Sequence, residues 1–183
     1  REYGVKPENV IKLASNENPY GTSPKVTAKI QEIAKNMFVY PDDSMYELKE
    51  ALAYKFDVES TNVIIGSGSD QILEYCVHAK CEKDSKILMA KTTFAMYEIY
   101  GKQTGAKIIK TADDQHNLEQ FSKLYKEHGA DVIFLCLPNN PLGECVDKDD
   151  VYAFLETVDS NTLVVVDGAY QEYAAFKDEK KRI

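Results

Sequence analysis

LVVVDGAYQEY, residues 163–173, runs four apolar residues straight into Asp167 and follows with Tyr170, Glu172 and Tyr173. A half-exposed strand alternates polar and apolar residues, so an unbroken apolar run predicts a strand covered on both faces. The acid at its end has two readings. It is either the N-cap of the next helix, accepting a backbone N–H, or a group held at the strand end for chemistry. Outward from this stretch, similar Val- and Ile-rich runs occur at NVII (62–65), KILMA (86–90), AKIIK (106–110), DVIFLC (131–136) and TLVVV (162–166). Between them Ile72, Leu73, Cys76 and Val77 share one helical face, and Val151, Phe154, Leu155 and Val158 another; Met45, Leu48, Leu52 and Phe56 form a stripe ahead of the first run. Alternating strands and helices predict an α/β fold, a mostly parallel sheet flanked by helices. Ligands of such a sheet sit outside the carboxyl ends of the strands.

The 183 residues, 44% hydrophobic and 28% charged, suffice for one domain with a core. The irregular, proline-bearing opening (Pro7, Pro19, Pro24, Pro41), with one helix near residues 24–36, reads as an arm over 1–43, followed by the sheet domain over 44–183. A net charge of −8 without a basic run argues against nucleic acid as a partner. No run approaches the ~18 apolar residues of a membrane span, and REYGVKPENV lacks the apolar core of a signal peptide; a cytoplasmic address is the expectation. Cys76, Cys81, Cys136 and Cys145 show no zinc spacing and read as free thiols, His78, His116 and His128 as scattered surface or core residues, and no metal is expected. Beginning at Arg1 and ending in KDEKKRI, the chain reads as a piece of something longer.

The loops expected at the strand ends carry chemistry. GSGSDQILEY (66–75) opens a helix after a glycine turn, where free N–H groups and the helix dipole suit a phosphate. It is neither G-x-G-x-x-G nor a Walker loop, and Ser67 with Asp70 also makes a plain capping box. Phe94 and Tyr97 would stack on a flat ring or pack beneath the next helix. Asn139 and Asn140, between Pro138 and Pro141, would aim an amide at a ligand or simply turn the chain. Together with Asp167 and Tyr170 these loops describe a planar, phosphorylated heterocycle with a ring nitrogen. Pyridoxal phosphate fits, because its chemistry relies on a ring nitrogen kept protonated by a carboxylate.

With LASNENPYGTSP (13–24), VYPD (39–42), GSGSDQI (66–72), TTFAMY (92–97), LPNNPLGE (137–144) and DGAYQEY (167–173) in this order, the chain resembles the pyridoxal-phosphate aminotransferases of the aspartate aminotransferase superfamily. The resemblance implies the large domain of fold type I and amino-group transfer between a small-molecule amine and a 2-oxo acid. It gives Asp167 the pyridine nitrogen, Asn140 and Tyr170 the ring's 3-hydroxyl, Phe94 the ring face, and the N–H groups of Ser69 and Asp70 the phosphate. Tyr40 would reach the cofactor of the neighbouring subunit of a homodimer, and Tyr20 would line the pocket of a phosphate-bearing substrate. Gly168 stands where the family usually has Glu, Leu142 where it has Thr, Gln71 where it often has Glu, and Thr92 where it has Pro. The family's Schiff-base lysine follows the ring aspartate on a later loop, which FKDEKKRI, with Lys177, Lys180 and Lys181, does not resemble; the expectation is an N-terminal half that lacks it. Two rival readings are a relative acting on another amine (an aromatic aminotransferase or a threonine-phosphate decarboxylase) and, from another class, a nucleotide-binding α/β module with Asp167 as a cap.

Overall fold

The computed structural model describes residues 4–178 and 183; Lys180 and Lys181 lie outside the described residues, as does the side chain of Lys177. The chain divides into two compact units, Arg1–Tyr46 and Glu47–Ile183. In the first, α1 (Pro24–Ile33) starts on a proline, whose fixed φ and missing N–H suit the first helical position. A single 3₁₀ turn, Ala34–Asn36, follows it. Asp42 then accepts from the Ser44 N–H at 3.1 Å and the Tyr46 N–H at 3.5 Å, closing the turn that leads into α2 (Tyr46–Phe56).

In the second unit, α3 (Gly68–Lys80), β1 (Lys86–Met89), α4 (Met96–Thr104), β2 (Lys107–Lys110), α5 (Leu118–His128), β3 (Val132–Cys136), α6 (Lys148–Leu155), β4 (Leu163–Asp167) and α7 (Gln171–Lys177) alternate along the chain. The strands form one parallel sheet in the order β2-β1-β3-β4. Side chains alternate across it. Ile87, Met89, Val132, Phe134 and Cys136 pack with Leu73 and Val77 of α3 and Tyr97 and Tyr100 of α4. Leu88, Ile133 and Leu135 pack with Phe121 of α5 and Val151 and Phe154 of α6. Every residue of β3 is buried, which is why VIFLC carries no polar alternation. The order reverses between β1 and β3, so the crevice of the sheet opens at their carboxyl ends.

Two expectations need correction. NVII is not a strand: Ser60–Asn62 is a 3₁₀ turn, and Val63 is extended but pairs with none of the four strands. A strand is made by its ladder rather than by propensity, and Ile64 is 72% exposed. The stripe on α2 is likewise mostly uncovered, since Met45 precedes the helix, Leu48 and Phe56 are exposed and only Ala53 is buried.

Candidate functional site

Asp167 ends β4 opposite Cys136 in the ladder, so the right-hand half of the sheet delivers the acid and the LPNNPLGE loop side by side. It is 8% exposed. The Tyr97 hydroxyl donates to its Oδ2 at 2.7 Å, and the Ala169 N–H donates to its Oδ1 at 3.1 Å. This is a local turn and not a helix cap: α7 starts after Tyr170, with no side-chain cap bond. Among the described residues no cation pairs with Asp167. A buried carboxylate satisfied only by neutral donors is a place for a positively charged group.

Tyr97 is the residue the sequence undervalued. It is fully buried, stacked on Phe134 at 4.3 Å and 3°, with Phe94 edge-on at 5.7 Å and 82°. Burial, with Cys136 and Asp167 beside it, raises the pKa of its phenol, so it remains a donor to the acid. Phe94, only partly buried, stands above this pair at the strand end.

The two asparagines diverge. Asn139 is buried and spent on structure: its amide donates to the Thr92 carbonyl at 2.9 Å and to Glu144 Oε1 at 2.7 Å, while its oxygen accepts from Thr93 at 2.9 Å. Asn140 is half-buried, its backbone N–H resting on the Cys136 sulfur at 3.4 Å. His116, read from the sequence as a scattered residue, joins the same network. Its Nε2 accepts the Cys136 N–H at 3.1 Å, and its Nδ1 faces Glu144 Oε1 at 3.3 Å. The backbone bond fixes the tautomer with the proton on Nδ1, and burial lowers the imidazole pKa against the pull of Glu144. Glu144 Oε2 is buried with no partner among the described residues. Loops after β1, β2 and β3 are thus tied into one platform.

At the other end, Gly68 opens α3 with φ +75°, a left-handed conformation that glycine adopts without strain. Ser67 forms no side-chain cap, and its N–H donates to Gln71 Oε1 at 2.8 Å rather than to Asp70; the expected capping box of Ser67 with Asp70 is not formed. The N–H groups of Ser69 and Asp70 fall in the first turn, where the helix supplies no acceptors. The Asp70 carboxylate is drawn aside by the Tyr100 hydroxyl, which donates to Oδ2 at 3.0 Å. Tyr170 is half-buried, 6.5 Å from Tyr173 between ring centres. Tyr20 and Tyr40 belong to the first unit and are 95% and 90% exposed. Among the described residues no His, Cys, Asp and Glu cluster could hold a metal, and no helix is long and apolar enough to cross a membrane.

A model of the family aminotransferase class I and II matches residues 8–180, and the chain belongs to that family. It is 80% identical over 183 residues to a histidinol-phosphate aminotransferase of Aliarcobacter butzleri and 64% identical to that of Wolinella succinogenes, covering 100% of this chain and 50% of each relative. The chain therefore spans about half the length of the curated relatives it matches. The fold is similar to the crystal structure of histidinol-phosphate aminotransferase from Sinorhizobium meliloti in complex with pyridoxal-5'-phosphate, with TM-score 0.78 and 26% identity over 83% of this chain and 42% of that one.

Proposed function

We propose that this chain is the cofactor-cradling part of a pyridoxal-phosphate-dependent aminotransferase that exchanges an amino group between histidinol phosphate and 2-oxoglutarate. The observation that carries the reading is Asp167: a buried carboxylate at the carboxyl end of a parallel strand, held by a phenol and a backbone amide and paired with no cation among the described residues. It fits a protonated ring nitrogen. The family membership and the names of the relatives support the reaction and the substrate.

When bound, the cofactor supplies a ring that draws off the negative charge left at the substrate's α-carbon. The chain's own groups prepare that ring. Asp167 holds the proton on its nitrogen, and Tyr97 keeps the carboxylate oriented. Asn140 and Tyr170 hydrogen-bond the 3-oxygen, Phe94 covers a face, and the first-turn N–H groups of Ser69 and Asp70 take the phosphate. Residues 1–43 act as an arm and 44–183 as part of the large domain. Tyr40, exposed within the first unit, reaches the cofactor phosphate of a second subunit in a homodimer, and Tyr20 meets the substrate's phosphate-bearing end.

The test uses the full-length protein, assayed with histidinol phosphate and 2-oxoglutarate after loading with pyridoxal phosphate. Glutamate formation that requires the cofactor, and that Asp167→Ala nearly abolishes without changing circular dichroism, is the expected result. Turnover of histidinol phosphate no faster than of aromatic amino acids would overturn the substrate; near-normal turnover by Asp167→Ala would overturn the role of the acid.

A further inference from the structure

The two carboxylates at opposite ends of the proposed cradle answer to one helix. Tyr97 and Tyr100 stand three residues apart on α4, hence on one face of it. Tyr97 donates to Asp167 Oδ2 at 2.7 Å, at the end of β4, and Tyr100 donates to Asp70 Oδ2 at 3.0 Å, in the first turn of α3. Both tyrosines are buried. One residue beyond Tyr100, Gly101 lets α4 lie close to the sheet: a Cβ there would come within 2.7 Å of Ile87 Cδ1 and Ile108 Cδ1. Any larger residue there would have to displace the ends of those two isoleucine side chains.

We propose that α4 is a positioning element that sets both ends of the cofactor site, Tyr97 orienting the ring-nitrogen acid and Tyr100 holding the Asp70 carboxylate away from the phosphate. The inference rests on the cofactor reading above and assigns two residues that contact no ligand in it. At the ring end, the acid is buried, and its Oδ2 has the phenol as its donor. Without that bond, a carboxylate held only through Oδ1 is free to turn, and a misaimed acid holds the ring proton less well. At the phosphate end, an acid in the first turn competes with any anion for the same free N–H groups. Tyr100 takes up that acid and leaves the N–H groups to the anion. The two hydroxyls therefore do different jobs, and their loss has different signatures.

The experiment compares Tyr97→Phe and Tyr100→Phe in the full-length protein. Each removes one oxygen and keeps the ring, so packing on Phe134 survives. Three quantities are measured: the dissociation constant of pyridoxal phosphate, the pH midpoint of the bound cofactor's visible absorbance, and kcat at saturating cofactor. A hydrogen bond to a charged group lost at the ring end lowers kcat about tenfold and moves the absorbance midpoint, with cofactor affinity little changed. Loss at the phosphate end weakens cofactor affinity about tenfold, with the midpoint and saturated kcat unchanged. Variants that bind, absorb and turn over like the wild type, or that both merely melt earlier, overturn the proposal, as does any pattern in which the two share one signature. A wild-type protein that fails to bind pyridoxal phosphate overturns the cofactor reading itself, and this inference with it.

Discussion

Every described side chain of residues 4–46 is exposed, including Leu13 at 90% and Tyr40 at 90%, whereas in residues 47–178 Val77, Ile87, Phe121 and Phe134 are fully buried. Both stretches have apolar residues at helical spacing, so composition does not explain the contrast. The difference lies in what each can pack against. A short unit with one real helix cannot cover its own apolar surface, whereas four parallel strands with helices on both faces can. The second unit therefore carries the stability. Tyr20 and Tyr40, proposed above to meet the substrate and a second subunit, lie in this exposed stretch.

Substitutions sharpen this division. The largest effect falls on Asp167: its replacement by Ala should lower kcat of the full-length enzyme by about 10³-fold, as expected for loss of a preorganised electrostatic group, with the fold retained in circular dichroism. Phe134→Ala, which empties the stack under Tyr97, should cost about 3–5 kcal/mol in urea denaturation, while Leu13→Ala should stay within about 0.5 kcal/mol. Equal costs would break the comparison. If the proposed homodimer places Tyr40 on the partner's cofactor, Tyr40→Phe in the full-length protein should weaken cofactor binding about tenfold with no change in melting temperature. Asn117, whose side chain caps α5 by accepting from Glu119 and Gln120 N–H at 3.1 and 3.2 Å, should cost about 1 kcal/mol when changed to Ala.

Two groups of the second unit give stability a dependence on pH. Because the folded state lowers the pKa of His116, the unfolded chain takes up that proton first; this contribution is complete above about pH 6.5 and is lost as pH falls toward the folded value. His116→Gln should flatten the denaturation midpoint over that window. Glu98, pulled down to about 2 by Lys102 and Lys110, acts lower, its contribution lost only as pH drops below about 4.5.

Much of this was legible in the chain. The apolar runs at 86–90, 106–110, 131–136 and 162–166 match β1 to β4 closely; continuity marks the central strands β1 and β3, which are buried along most of their length, whereas the edge strands β2 and β4 are only partly covered. The run at 62–65 did not, because a strand needs a partner that no local pattern reveals. Asp167 announced itself by interrupting an apolar run. The phenol of Tyr97, three residues beyond Phe94, could not be assigned a partner 70 residues away. His116 was equally opaque: its value depends on meeting the Cys136 N–H and Glu144, although the acid stood in plain view at the end of LPNNPLGE. Spacing alone did not separate Asn139 from Asn140, and only the family resemblance singled out Asn140; packing shows that the Asn139 amide is consumed by the platform.

The central claim is that Asp167 holds a proton on the ring nitrogen. It is tested most directly by the ¹⁵N resonance of ring-labelled pyridoxal phosphate bound to the full-length protein and to its Asp167→Asn variant. The account predicts a pyridinium resonance in the wild type that persists through neutral and mildly alkaline pH, and a free-pyridine resonance in the variant. A free-pyridine signal in the wild type, or a pyridinium signal that survives the substitution, would contradict it.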